Sequence, residues 1–458
     1  MEQIASFVKL VNYYLWDAGP MIVLLFGIHL FMTFKTGFIQ RKVFLGIKLS
    51  FQKDAYGSGD VSHFGSLTTA LAATIGTGNI IGVGTAIALG GPGAVLWMWL
   101  TGVFGIATKY AESLIAVKYR VKTENGTMIG GAMYALERGL KMKWLGALFA
   151  LFAAIAAFGI GSSVQANAVA VVLNENLNVP VWISGLAISV LLALVIIGGI
   201  KSIANVCVKL VPLMTILYVA GCLAILAFNI DYLIPAVSEI IKSAFAPKAA
   251  GGGFIAATLM SAARYGIARG LFSNESGMGS APIVAAAAKT RNPFRQALVA
   301  SSGTFWDTVV ICAITGLVIV SSMIANPGIV NVEKLDGAIL THLAFGQIPY
   351  VGWIMLTFGL VTFAFSTILG WSYYGERCAQ YLFGPKSNAP YRIIYVITAF
   401  AGSLISLNLV WSLADMFNAF MAIPNIIAVL LLSGVIAKET KYYLKDNNIE
   451  EVSDNSYN

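Results

Sequence analysis

The sequence predicts an all-α integral membrane protein of about eleven transmembrane helices, with one extra N-terminal helix before two inverted repeats of five helices. Hydrophobic residues make up 58% of the chain and charged residues only 11%, whereas soluble domains carry about 25% charged residues. The stretches 144–174 and 337–375 contain no Asp, Glu, Lys or Arg. Both exceed the roughly 20 apolar residues that a membrane helix needs.

The apolar stretches divide the chain into candidate helices and connecting segments. The helices are expected near 15–34, 66–90, 94–118, 145–174, 180–199, 206–228, 254–288, 295–323, 348–376, 391–407 and 411–437. Residues 1–60 then hold the extra helix and a basic inner loop, and 61–230 form the first repeat. An outer connection and the second repeat occupy 231–437, and 438–458 form a cytoplasmic tail.

The distribution of basic residues predicts the orientation in the cell membrane. With the N-terminus outside, the inner segments carry 22 Lys and Arg residues and the outer segments only 4. Cytoplasmic loops carry this excess of positive charge. The same distribution explains the net charge of +8 without a nucleic-acid partner.

Two predicted helices are interrupted at mid-length. The second contains Gly76-Thr77-Gly78-Asn79, and the seventh contains the segment 273–279, which is rich in serine and glycine. Glycine and small polar residues weaken a helix, and backbone groups freed at membrane depth must line a cavity or meet a ligand. The breaks lie five helices apart, and paired broken helices in inverted repeats indicate the midplane site of a secondary transporter.

A broken helix can bind an amino acid and a cation together. The N-terminal ends of its half-helices present N–H groups that suit a carboxylate. The C-terminal ends present carbonyls that suit Na+. Small residues at Thr77, Gly78 and Gly82 would let a ligand approach the backbone closely. The spacing Gly78-x-x-x-Gly82 also fits the alternative of a plain helix-packing face.

Two further runs resemble a known family. The run from Gly90 to Leu100 (GGPGAVLWMWL) and the run from Arg269 to Pro282 (RGLFSNESGMGSAP) look like the hallmarks of the alanine or glycine:cation symporters, also called sodium:alanine symporters. The resemblance covers nearly the whole chain. It implies a leucine-transporter-type fold and co-transport of a small amino acid with Na+.

A more distant similarity to the leucine transporter itself implies the substrate-site residues. Thr77 and Gly78 would bind the substrate carboxylate through N–H groups, and Asn79 would bind substrate or cation. Phe272 would cap the pocket, Ser273 would face substrate or ion, and Trp371 would form the pocket floor.

The same similarity implies a sodium site. Its ligands would be the carbonyl of Phe363, the hydroxyls of Ser366 and Thr367, and the carbonyls of Ala72 and Ile75. The alternative is that both hydroxyls bond back to carbonyls of their own helix, as mid-helix Ser and Thr often do. Glu275 departs from the leucine transporter, which has a small hydroxyl residue there.

Other polar residues within the apolar helices leave two interpretations open. Gln165 either binds substrate or joins helices by hydrogen bonds. Charged side chains are costly inside a membrane, so Arg269 is expected to pair with Glu275 or Asp307. Lys109 and Glu112, three residues apart on one helix, are expected to pair locally.

These observations together predict a cation-coupled symporter of small neutral amino acids, alanine or glycine, driven by Na+. A proton-coupled transporter of the same fold is the first alternative, and an ion channel is the second. The sequence lacks the His-Glu-x-x-His and Gly-x-Ser-x-Gly motifs, so we expect no enzymatic activity. The expected partners are the amino acid, the cation and the lipid bilayer, and no obligate protein partner is evident.

Overall fold

The computed structural model describes residues 2–17, 19–54, 57–245, 259–331, 336–348, 351–405, 408–445 and 448–453. These residues are overwhelmingly helical, and one short hairpin pairs Val121–Lys122 with Met128–Ile129. The all-α class that the sequence predicts is therefore confirmed.

The first half of the chain contains the extra helix, a first broken helix and the helices that follow it. In order they are α1 (Glu2–Asn12), α2 (Pro20–Lys35), α3 (Val43–Ser50), α4 (His63–Thr74), α5 (Ile81–Gly90), α6 (Ala94–Lys118), α7 (Ala132–Tyr134), α8 (Lys143–Ala156), α9 (Val164–Leu177), α10 (Val181–Ile196), α11 (Gly199–Phe228) and α12 (Ile230–Phe245).

The second half begins with the second broken helix. Its helices are α13 (Leu259–Asn274), α14 (Pro282–Ala285), α15 (Pro293–Thr304), α16 (Ala313–Ala325), α17 (Gly337–Phe345), α18 (Val351–Phe383), α19 (Asn388–Leu404), α20 (Asn408–Leu431) and α21 (Ser433–Leu444). A π-helical turn, Ala157–Ser163, joins α8 to α9, and another, Phe305–Cys312, joins α15 to α16. Such turns are rare in proteins, and those that occur are often found at functional sites.

Each of the eleven predicted segments contains helix, and the second and the seventh are interrupted at residues 75–76 and 275–281. Residue 18 of the first segment, 254–258 of the seventh, 349–350 of the ninth, 406–407 of the tenth, and 446–447 and 454–458 of the tail lie outside the described residues. By length and composition, six helices of the described chain could cross a membrane: Ala5–Lys35, Lys143–Leu177, Gly199–Phe228, Pro293–Ala325, Gly352–Phe383 and Val410–Leu431. The number of spans and the repeat boundaries stay predictions.

The two broken helices occupy the centre of the molecule. α4 packs against α11 and α18, while α13 packs against α5 and α6. The crossing of α4 and α18 is close because Gly370 has no side chain: a Cβ there would lie 2.6 Å from the Cβ of Ala73. This approach brings the middle of α18 against the end of α4, where the first break begins.

Candidate functional site

The first break begins where Gly76 leaves the helical path. The Ile75 N–H still donates to the Leu71 carbonyl at 2.8 Å, but Gly76 is extended, with φ −139° and ψ −156°. Its N–H donates to Oδ1 of Asn79 at 2.9 Å instead of continuing the helix toward the Ala72 carbonyl. Carbonyls at this end of α4 are therefore left for other partners.

Four oxygens meet between the first break and α18. The Ser366 hydroxyl lies 2.8 Å from the Phe363 carbonyl and 3.4 Å from the Ile75 carbonyl. The Thr367 hydroxyl lies 3.0 Å and 3.3 Å from the same two carbonyls. All four residues are buried. Neutral oxygens converging in an apolar interior can bind a hard monovalent cation.

Both interpretations of the two hydroxyls are therefore compatible with this geometry. The bonds to Phe363 are the back-bonds to their own helix that the simpler alternative expects. The contacts to Ile75 reach across to the broken helix, as a cation site between helices requires. Ala72, the fifth predicted ligand, is fully buried at the end of α4.

The predicted carboxylate-binding residues line an open space. Thr77 and Gly78 begin a one-turn 3₁₀ segment, Thr77–Asn79, and the first N–H groups of a helical segment have no acceptor within it. Both residues line a cavity of about 360 Å³, together with Gly82, Phe272 and Trp411. The Phe272 ring is so close to Gly78 that a Cβ there would lie 3.2 Å from it.

Two buried side-chain oxygens near this break have no protein partner in the described chain. They are Oγ1 of Thr77 and Oε1 of Gln165. The Gln165 oxygen would lie 3.6 Å from a Cβ placed on Gly76, so it belongs to the surroundings of the break. Its amide nitrogen donates to the Ile160 carbonyl of its own helix at 3.2 Å. Buried polar atoms rarely stay unsatisfied, so these two oxygens are candidates for ligand contact.

Asn79 and Ser273 contact Asp307 rather than the cavity. Nδ2 of Asn79 donates to Oδ1 of Asp307 at 2.7 Å, and the Ser273 hydroxyl donates to Oδ2 at 2.9 Å. The Thr308 hydroxyl also donates to Oδ2, at 2.6 Å. Asp307 is fully buried in the π-helical turn between α15 and α16. It links both broken helices, because Asn79 follows α4 and Ser273 ends α13.

The second break is filled by contacts within the protein. Nε1 of Trp371 donates to Oε1 of Glu275 at 2.9 Å, and the Ser280 hydroxyl donates to Oε2 at 2.5 Å. From α6, Oε1 of Glu112 accepts the Gly279 N–H at 3.1 Å and also a hydrogen bond from Asn425. Trp371, the predicted pocket floor, is buried beside this break.

The expected pairing of Arg269 with Glu275 or Asp307 is wrong in this structure. Arg269 lines the cavity and stacks on Phe272, with Cζ 5.8 Å from the ring centroid. Both carboxylates instead accept hydrogen bonds from neutral donors. These donors satisfy the carboxylates without an arginine.

The expected direct pair between Lys109 and Glu112 is also absent. Glu112 contacts the second break instead, and Nζ of Lys109 has no hydrogen-bond partner among the described residues. Lys109 still interacts electrostatically with Glu112, Glu275 and Asp307. Lys109 is therefore the basic residue among these three buried carboxyl side chains.

Sequence reasoning missed the connecting roles of Asp307, Glu112 and Asn425. Asp307 and Glu112 stood out as charges within apolar stretches, which was a usable signal. Asn425 is a neutral residue in a long helix, and nothing local in the sequence marks it.

Two interrupted helices are a feature of secondary transporters, and comparisons with solved structures show the fold. The chain is similar in structure to MhsT, which was solved in complex with L-phenylalanine. The TM-score is 0.56 at 14% identity, and the match covers 84% of this chain and 99% of MhsT. For Mhp1, a nucleobase-cation-symport-1 family transporter, the TM-score is 0.50, at 14% identity and 86% and 81% coverage. These similarities establish the fold.

The sequence establishes the family. The chain belongs to the sodium:alanine symporter family, whose model matches residues 1–456. It is 51% identical to the sodium/alanine symporter AgcS of Methanococcus maripaludis, over 96% of this chain and 97% of AgcS. It is 34% identical to the probable sodium/glutamine symporter GlnT of Bacillus subtilis, over 97% of this chain and 92% of GlnT. The chain is therefore a multi-pass membrane transporter that moves an amino acid with a cation, and it is not an enzyme.

Proposed function

We propose that this transporter is a sodium-coupled symporter of alanine or glycine. The proposal rests on one observation. The Ile75 and Phe363 carbonyls and the hydroxyls of Ser366 and Thr367 converge beside the first break. In this scheme Na+ replaces the hydroxyl protons as the partner of these carbonyls. The Ala72 carbonyl is the fifth proposed ligand.

The ligand type favours Na+ over a divalent cation. Hard cations prefer oxygen ligands, and Ca²⁺ and Mg²⁺ sites in proteins normally include carboxylates. The proposed ligands are two hydroxyls and three carbonyls, all of them neutral. A monovalent ion can leave such a site more easily, and each transport cycle requires it to leave.

The surroundings of Thr77 and Gly78 favour a small amino acid. The substrate carboxylate would accept N–H groups of these two residues, close to the positive end of a helical segment. Phe272 lies against Gly78, and Trp371 follows Thr367 by about one turn of α18. Gln165 would contact the substrate through its unpartnered oxygen. In this proposal the two aromatic side chains restrict the site to a small amino acid.

Asn79 and Ser273 have a supporting role in this proposal. Their side chains bind Asp307, so they connect the site to the α15–α16 helix. Movement of either broken helix during alternating access would change these bonds. In this proposal both residues belong to the substrate site and contact the ligand through their backbone groups or after such a movement.

The names of the relatives differ in the substrate and in the coupling ion. AgcS is named a sodium/alanine symporter and GlnT a probable sodium/glutamine symporter. YrbD of Bacillus subtilis, 34% identical over 96% of this chain, is named a putative sodium/proton-dependent alanine carrier. The buried carboxylates of Glu275 and Asp307 favour proton coupling as the second candidate.

Uptake into proteoliposomes tests the proposal directly. Purified protein would be reconstituted and given labelled alanine or glycine under an inward gradient of Na+, of K+ or of protons. We expect saturable uptake only with Na+, and a sodium-free proton gradient should drive none. Uptake driven by protons alone would replace Na+ by H+ in the proposal. Flux that does not saturate would indicate a channel.

Selectivity is measured in the same vesicles. Unlabelled glycine, serine, leucine and glutamine would compete with labelled alanine. Small amino acids should compete at low concentration, and leucine and glutamine should compete poorly. Strong competition by glutamine would overturn the small-substrate assignment while leaving ion coupling intact.

A further inference from the structure

The backbone at Glu275 has a conformation that favours glycine. Its N–H donates to the Leu271 carbonyl at 3.0 Å, which closes the last turn of α13, and its φ is +53°. Helices often end on a residue in this left-handed region, and that residue is usually glycine. Gly277 and Gly279 in the same break do have positive φ values, 91° and 79°. A glutamate in this backbone conformation indicates a functional role for its side chain.

The Glu275 side chain connects the second break to α18. The residue is only 4% exposed. One carboxylate oxygen accepts Nε1–H of Trp371 at 2.9 Å and the other accepts the Ser280 hydroxyl at 2.5 Å. The indole nitrogen has a single donor, so this bond fixes the orientation of the whole ring.

Trp371 in turn lies one turn away from the first break. It follows Thr367 by four residues on α18, so both side chains project from the same face of that helix. Gly161 packs directly on Trp371, where a Cβ would lie 2.3 Å from the Trp371 Cβ. Gln165 follows Gly161 by one turn and points its free oxygen toward Gly76. Through Gly161, Trp371 therefore packs on the helix that carries Gln165.

We propose that Glu275 is a positioning residue that holds the indole of Trp371 as the size-limiting wall of the substrate site. Without the hydrogen bond the ring could turn away, and amino acids with longer apolar side chains would enter. The identity of the transported amino acid rests on the proposed function, but the link between Glu275 and Trp371 does not.

Three variants separate this role from a structural one. Glu275→Gly suits the positive φ and removes the side chain, so the fold should persist. Glu275→Gln keeps an acceptor for the indole N–H and a donor for Ser280. Trp371→Phe keeps an aromatic ring but removes the N–H donor.

The substrate profile is the first measurement. Because one methylene in an apolar pocket is worth about tenfold or more in discrimination, Glu275→Gly should lose about tenfold or more of the preference for alanine over leucine. Trp371→Phe should show a similar loss, and the double variant should lose no more than either alone. Glu275→Gln should keep the wild-type preference. A wild-type profile in Glu275→Gly, or a lost preference in Glu275→Gln, would overturn the proposal.

A double-mutant cycle without any ligand keeps the test independent of the substrate. Melting temperatures in detergent would be compared for wild type, Glu275→Gly, Trp371→Phe and the double variant. We expect the combined loss to be clearly smaller than the sum of the single losses, because one bond is removed by either change. Additive losses would mean that the two residues do not cooperate. If the cycle shows coupling but neither the wild type nor any variant transports alanine, the proposed function fails and the positioning role stands.

Discussion

The two broken helices look alike in the sequence but make different contacts in the structure. At the first break, hydroxyls and carbonyls such as those of Thr367 and Ile75 face one another across the helices, and the oxygens of Thr77 and Gln165 have no protein partner. At the second break, Glu112 and Asn425 bond the freed backbone groups of Gly279 and Gly277, and Nδ2 of Asn274 has no partner among the described residues. Glycine within an apolar helix therefore marks a break but does not tell whether a ligand or the protein fills it.

The supports of the two breaks share one pattern. Asp307, between α15 and α16, holds Asn79 of the first break. Glu112, on α6, holds Gly279 of the second. In the predicted repeats, each acidic residue lies on the second helix of the opposite repeat. In that prediction, each repeat provides a carboxylate that bonds the break of the other.

The largest effect should come from filling the first break. In Gly78→Val the Cβ would lie 3.2 Å from the Phe272 ring and 3.7 Å from the Ser273 Cα, and the extra methyl groups would enter the ligand space. We expect apparent alanine affinity to fall about 100-fold or more, which is about 2.8 kcal/mol.

Gly27→Ala is the control for this prediction. Gly27 lies on α2, outside the lining of this cavity, and a Cβ on it has no atom within 4 Å. Its uptake should stay near the wild-type value. Wild-type affinity in a well-folded Gly78→Val would exclude the first break as the substrate site.

The next effect should come from removing the support of the second break. Glu112→Ala leaves the buried Gly279 N–H without its acceptor and leaves the Asn425 amide with the Gly277 carbonyl as its acceptor. An unsatisfied buried group costs about 1–3 kcal/mol, so the melting temperature in detergent should fall clearly. Glu112→Gln retains an acceptor and should lose less. If Glu112→Ala melts like the wild type, the second break does not depend on this carboxylate.

A smaller effect on stability is expected in the loop before α4 and the loop after α14, which both lie on the predicted inner side. Asp54 binds His63 at 2.9 Å and Arg291 at 2.7 Å. Glu450 of the tail binds Arg291 and Arg295, each at 2.7 Å. The Glu450 side chain is 58% exposed, and exposed pairs contribute at most about 1 kcal/mol. Glu450→Gln should therefore change the melting temperature less than Asp54→Asn does.

The pH dependence of this cluster follows from the pKa of Asp54. Burial raises the pKa of this carboxyl, but the hydrogen bond from His63 and the charge of Arg295 outweigh burial and lower the pKa to about 2. A lowered pKa means that the ionised form stabilises the fold above about pH 4 and that this stabilisation is lost as the pH falls toward about 2. The stability difference between wild type and Asp54→Asn should persist down to about pH 4 and then shrink. A difference that vanishes near neutral pH would contradict this assignment.

The helices and the two breaks could be predicted from the sequence because their signals are local. Uninterrupted apolar stretches give the helices, and Gly76 to Asn79 stands out within one of them. α3 and α12 were placed in connecting segments. α17 was missed because it lies inside the charge-free stretch 337–375, although Asp336 caps it by accepting the Ile339 N–H at 2.8 Å. An acidic residue before an apolar run is a usable sign of a helix start.

The supports of the breaks could not be predicted, since they depend on contacts between distant parts of the chain. Asn79 and Asp307 are 228 residues apart, and Glu112 and Asn425 are 313 apart. Periodicity describes which face of a helix is apolar but not which helix it meets. Arg269 illustrates the limit, because charge alone suggested a carboxylate partner where the structure has the Phe272 ring.

A sodium titration of uptake shows whether the four oxygens between the first break and α18 bind the driving cation. Ser366→Ala and Thr367→Ala would be compared with Ser372→Ala, a buried serine on the same helix that donates to the Leu369 carbonyl at 2.7 Å. We expect the sodium concentration for half-maximal alanine uptake to rise about tenfold in each of the first two variants. Ser372→Ala should match the wild type, and alanine affinity at saturating sodium should change little in all three. Wild-type sodium dependence in both Ser366→Ala and Thr367→Ala would contradict the account.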